Sequence, residues 1–238
     1  MSTHTLDGRV HRGVHAGRMV SSHWTWLAIG FAVAFAMPFL LTDVLDLNRD
    51  VFYGVYALAV LGLFSGWVRS TGYHLVAAVR RRWLLALGLG LACAALLAVI
   101  VVRTEAATSR PDGLKLAGAV VWRGVVYGAT DALLLSVFPI LVVFAAFAGK
   151  TISKRTRGKI AIGAVAMIAS LALTAVYHAG YNDFRSSRIK KPLTGDLIWS
   201  VPTLVTLNPI GAPIAHIGLH VSAVLHSYDT NTFLPPHK

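Results

Sequence analysis

The sequence is poor in cysteine and in charge. Cys93 is the only cysteine, so an intrachain disulfide and a thiolate metal cluster are both excluded, and nothing is learned about the redox compartment. Charged residues make up 13% of the 238 residues against 55% hydrophobic, and mean hydropathy is +0.63. A water-soluble domain of this length needs more polar surface than that to cover its core. The chain has no phosphate-binding loop, dinucleotide fingerprint, nucleophile elbow or CxxCH haem-attachment site, and no heptad, internal repeat or low-complexity tract. Acidic residues are few, and the formal net charge is +12. The Lys and Arg residues sit between apolar blocks rather than along one face, and no nucleic-acid motif accompanies them. Anionic lipid headgroups are the simpler partner, so a lipid bilayer is expected and nucleic acid is not.

What the sequence has is long apolar runs, and these predict an all-α polytopic transmembrane helix bundle. Six spans are expected: Trp24 to Leu41, Val51 to Val68, Trp83 to Val102, Leu116 to Ala148, Ile160 to Tyr177 and Ile210 to Leu225. The fourth is too long for one straight crossing, and Pro139 removes a backbone donor within it, so a kink is expected there. Leu197 to Leu207, interrupted by Pro202, is too short to span and reads as re-entrant or interfacial. The AFA at Ala34 to Ala36 resembles a cleavage signal but lies inside the apolar run, so the first span reads as uncleaved. Residues 1–22 read as a cytoplasmic tail, 23–103 as three scaffold spans, 116–227 as three site-bearing spans and 228–238 as a C-terminal tail. Arg80 to Arg82 and the run Lys150 to Lys159 place the N-terminus in the cytoplasm, against the opposing cluster Arg185 to Lys191. A multi-pass protein of the plasma membrane with both termini cytoplasmic is the resulting expectation.

Ionisable residues inside spans are expensive to place and point to function. The first three spans hold almost none. The later ones hold Arg123, Asp131, His178, His216 and His220, with Asp183 just beyond the fifth. In the N-in arrangement Arg123 lies roughly 10 Å deep and His220 roughly 15 Å, by helical rise, so these groups share the outer half of one membrane region. His216 and His220 stand four apart, stack on one helix face and can chelate one transition metal. Interhelical hydrogen bonding is the plainer role for such a pair. Asp131 requires a partner, for which Arg123, Tyr127 and the histidines are candidates. Asp183 reads as a solvated loop carboxylate or as a group reaching back over the site. Trp122, Trp199 and Tyr181 read as interfacial anchors, and His23, His74 and His226 as residues outside the site.

Three runs, VVWRGVVYG, TAVYHAG and NPIGAPIAHIGLH, together resemble the motifs of the CAAX-protease and bacteriocin-processing family of intramembrane proteases. The resemblance covers roughly Leu116 to Leu225. It places Arg123 at the arginine of Glu-Glu-x-x-x-Arg, His178 at the histidine of Phe-x-x-x-His with Thr174 for the aromatic, and His216 and His220 at the ends of the third motif. It implies a membrane-embedded peptidase acting on a membrane-anchored peptide or protein. Gly118 and Ala119 stand where that family has its two glutamates, and the first of those is taken to activate water. Either the chain is a non-catalytic relative, or a carboxylate role has passed to Asp131 or Asp183.

Three classes follow. In a hydrolase, His178, His216, Asp131 and Arg123 are the catalytic candidates, and His178, His216, His220 and Asp183 are the ligands of a zinc-like divalent metal. The alternatives are a non-catalytic membrane scaffold or immunity-type partner, and a bis-histidine haem or metal carrier.

Overall fold

The computed structural model describes residues 7–230 and 232–235, with backbone alone before Ser22. The described residues are mostly helical, with no strand among them. In chain order the helices are α1 (Asp7–Pro38), α2 (Arg49–Thr71), α3 (Leu75–Arg80), α4 (Trp83–Thr104), α5 (Gly113–Ala119), α6 (Tyr127–Ala132), α7 (Phe138–Ala146), α8 (Thr151–Lys154), α9 (Thr156–Ala179), α10 (Lys190–Trp199), α11 (Val201–Thr206) and α12 (Gly211–His226). Five helical stretches are long and apolar enough to cross a membrane: Ser22–Val44, Arg49–Thr71, Trp83–Thr104, Gly113–Ala146 and Thr156–Ala179. Large apolar side chains such as Leu58, Leu84, Ile160 and Ile168 point outward, as they do when the surroundings are hydrocarbon rather than water. This is a multi-pass membrane protein built as an all-α bundle.

Local chemistry sets the ends of these helices. Asn48 caps α2 by accepting from the Asp50 N–H at 2.9 Å, and Gly72 closes it in the left-handed region at φ 65°. The long stretch α5–α7 bends at two π turns, Val120–Val126 and Leu133–Val137. Pro139 follows the second turn directly, where its missing N–H costs least. The N-terminal segment expected as a tail is helical from Asp7, as the start of α1, and residues 1–6 lie outside the described part.

One element runs differently from its sequence reading. Leu197 to Leu207 is the second half of a helical run that starts at Lys190 and continues through Ser200 into α11. It ends beside the α3–α4 turn, where Asn208 Nδ2 donates to the carbonyls of Val79 and Arg81 at 2.7 and 2.6 Å. The segment is therefore part of a longer helical run rather than an isolated short piece. It traverses the bundle from the end marked by Asp50 to the end marked by Arg81. Consequently α12 starts at the Arg81 end and runs parallel to α4: Gly90 abuts Gly211 and Ile214, and Gly218 abuts Ala94. It runs antiparallel to α5–α6, with Gly124 against Val221 and Gly128 against Ile217. Block six thus enters from the opposite side to that expected, and the chain leaves it at the Asp50 end.

Candidate metal centre

Asp131 sits on α6, buried, between α2 and α12. Tyr56 on α2 donates to its Oδ1 at 2.7 Å. Its Oδ2 lies 3.2 Å from His216 Nε2 and 3.9 Å from His220 Nε2. The two imidazoles are one helical turn apart and nearly parallel, with centroids 4.9 Å apart and planes 11° apart. One donor atom from each of Asp131, His216 and His220 falls within a 4.8 Å group. Gly128 permits this: a Cβ there would stand 3.1 Å from both the His220 ring and the Ile217 backbone, so a side chain would hold α12 away from α6.

The site opens into a cavity of about 300 Å3 lined by Tyr127, Asp131, His178, His216 and His220 at its polar end. Leu97, Ile100, Ile198 and Leu219 form apolar walls, and Lys190 and Lys191 are also part of its lining. His178 Nδ1 lies 2.8 Å from the Thr174 carbonyl. A carbonyl only accepts, so Nδ1 carries the hydrogen and Nε2 of the neutral ring keeps its lone pair. Behind Asp131 a chain of buried tyrosine hydroxyls runs from Tyr127 to Tyr177 and on to Tyr181, each step 2.8 Å.

The donor set suits a divalent cation. Ligand bonds of about 2.0–2.2 Å in a tetrahedral zinc shell put donor atoms roughly 3.4 Å apart, close to the 3.2 and 3.9 Å found around Asp131 Oδ2. Buried side chains without partners point the same way. His220 has no hydrogen bond at either ring nitrogen, and His216 has none at Nδ1, among the described residues. Burying an imidazole with both nitrogens unpaired costs about 1–3 kcal/mol per group, which coordination would offset. Ring orientation comes from packing instead: Trp199 lies 4.3 Å from His216 and Tyr127 4.9 Å from His220, centroid to centroid. No protein-family model, curated protein or solved structure matches the chain.

Two expected site residues are elsewhere. Arg123 makes a two-pronged pair with Asp50 at 3.0 and 2.9 Å and donates to Tyr228 at 3.0 Å. Two helical turns from Asp131, the guanidinium pairs with a carboxylate at the start of α2 and stands apart from the Asp131, His216 and His220 group. Asp183 pairs with Arg188 at 3.3 Å on the surface and does not line the cavity. It is not a ligand. Trp199 and Tyr181, expected as interfacial anchors, are buried, and Trp199 packs on the site. His226, expected outside the site, lies at the Asp50 end with Nε2 3.0 Å from the Glu105 carbonyl. His23 is buried and accepts from Trp67 Nε1 at 3.1 Å.

Tyr56 was legible only as a scaffold residue. It comes from a span with no unusual polar group, and one tyrosine in an apolar helix carries no signal of its partner. His216 and His220 sit on one side of α12, an arrangement for a shared ion rather than for two axial ligands across a haem iron.

Proposed function

We propose that the protein is a membrane-embedded hydrolase that holds a zinc-like divalent metal on Asp131, His216 and His220. The observation that carries this reading is the convergence of two otherwise unpartnered buried imidazoles on one carboxylate oxygen at the end of a cavity. Those three residues would hold the metal, which would supply Lewis acidity toward a carbonyl and make water a better acid, as in hydrolytic zinc sites.

The remaining steps belong to side chains. Tyr56 fixes Asp131 by holding Oδ1, which directs Oδ2 toward the histidines. His178, with Nδ1 tied to Thr174, offers Nε2 as proton acceptor for the attacking water and returns that proton to the leaving amine. This base replaces the glutamates missing at Gly118 and Ala119 in the resemblance to CAAX-type intramembrane proteases. The apolar walls suit a stretch of membrane-anchored peptide or protein. The basic loops at the Arg81 end, Arg80 to Arg82 and Lys150 to Lys159, contain no acidic residue, which supports a reading in which that end and the N-terminus face the cytoplasm of a plasma-membrane protein. The cavity then belongs to the outer half of the bilayer.

The test is turnover of membrane-anchored reporter peptides by protein reconstituted with zinc. His178→Gln keeps its metal and loses turnover by about 10²–10⁴-fold, the usual worth of a positioned acid–base. Unchanged turnover in that variant removes His178 from the mechanism, and metal-loaded protein that cleaves no peptide removes the hydrolase.

A further inference from the structure

Asp196 is a second buried carboxylate, fully buried on α10 and separate from the metal centre. Thr174 donates to its Oδ2 at 3.0 Å. Its Oδ1 faces Ser170 at 3.1 Å and Ser136 at 3.4 Å, with Ser200 closer still. No Lys, Arg or His among the described residues forms an ion pair with it. A negative charge surrounded by helices and lipid is costly without a counter-charge, and hydroxyls supply none.

The hydrogens are few. Each hydroxyl carries one, and Ser170 lies nearer the Leu135 carbonyl, at 2.7 Å, than the carboxylate. Ser136 lies 2.5 Å from Ser200 and so is better placed to donate there. Donors to Asp196 are thus reduced to Thr174 and Ser200, while oxygen lone pairs are in excess. The backbone is irregular on one side of this point, where Ser136 and Leu135 lie in the π turn Leu133–Val137 and Pro139 just beyond it has no N–H to offer, while on the other side α10 continues through Ser200 into α11. Interrupted helices inside a membrane bundle are where backbone and side-chain oxygens are turned toward bound ions.

We propose that Asp196, Ser136, Ser170, Thr174 and Ser200, with the Leu135 carbonyl, bind a monovalent alkali cation, sodium. A set made only of oxygens selects a hard cation, and nitrogen and sulfur donors for a transition metal are missing from it. One carboxylate charge matches one positive charge and leaves the group neutral in its apolar surroundings. Binding requires the hydroxyls to turn their lone pairs inward and their hydrogens away, and the oxygens to spread from the 2.5 and 3.1 Å that separate Ser200 from Ser136 and from Ser170. Thr174 links this site to the other, since its hydroxyl bonds Asp196 and its carbonyl accepts from His178.

Thermal unfolding of the full-length protein in detergent tests this, in sodium chloride against choline chloride at equal ionic strength. Sodium raises the unfolding temperature in a saturable manner, since a ligand of the folded state stabilises it. Asp196→Asn abolishes the difference, and Ser200→Ala, which keeps the carboxylate, weakens sodium binding by about tenfold or more. Equilibrium binding of radioactive sodium to the unaltered protein gives a readout that does not depend on how a variant folds. Equal unfolding temperatures in the two salts, with no sodium retained, overturn the proposal and leave Asp196 as a neutral acid. A sodium effect undiminished in both variants overturns it as well.

Discussion

At the scale of single residues, the decisive question is what each buried polar group touches. Tyr56 holds Asp131 through one hydrogen bond of 2.7 Å. Tyr56→Phe keeps the ring stacked on Phe52 and removes only the hydroxyl, so stability falls by about 1 kcal/mol. Metal affinity falls by about 10–100-fold, the usual cost of losing a partner that orients a ligand. Zinc titration against a competing chelator measures it, and an unchanged affinity would show that Asp131 is not a ligand. Arg123 gives the contrasting case. Its pair with half-exposed Asp50 is worth less than about 1 kcal/mol, so Arg123→Gln lowers the unfolding temperature slightly and leaves metal content as it was. Loss of metal in that variant would return Arg123 to the site. The histidine pair was legible at this scale because spacing by four on a helix fixes a common face. The partner of Arg123 was not, because Asp50 lies 73 residues away and is chosen by packing.

At the scale of elements, the apolar blocks marked the long helices within a few residues, since hydrocarbon surroundings leave little choice of where a span begins. The run from Lys190 to Thr206 is longer than its apolar half for a physical reason. Its first half carries Lys190, Lys191, Thr194 and Asp196, which hydropathy counts as polar, whereas the helix turns Asp196 inward onto hydroxyls from α9 and the π turn. Only tertiary structure makes that segment fit to cross the bundle. The same contacts explain the glycines of α12. A Cβ at Gly218 would meet the Ala94 Cβ at 2.5 Å and its Cα at 2.9 Å, atoms that cannot swing aside. Gly218→Val therefore pries α12 from α4, destabilises the protein by about 1–3 kcal/mol and shifts His216 and His220 relative to Asp131. Chemical unfolding and metal content read the two effects together. A variant with unaltered stability would contradict the close approach of these helices.

At the scale of the whole molecule, the direction of α12 fixes where the chain ends. Ser187 and Asp229 lie at the Asp50 end, and Thr156 at the Arg81 end, where Arg81, Arg82, Ser153, Lys159 and Leu207 border one groove. In a background with Cys93 replaced, cysteines at Ser187 and Asp229 label from one side of the membrane and a cysteine at Thr156 from the other. Labelling of Asp229 together with Thr156 would restore the shorter, re-entrant reading of Leu197 to Leu207.

The central claim is that Asp131, His216 and His220 hold one metal ion, and the most direct measurement is elemental analysis of the detergent-purified protein beside its variants. About one zinc-like ion per chain is expected, lost in His216→Ala, His220→Ala and Asp131→Asn while each variant still purifies as a folded protein. A protein that takes up no metal even when supplied with zinc, and that unfolds when either histidine is removed, would contradict it and make the cluster a structural one.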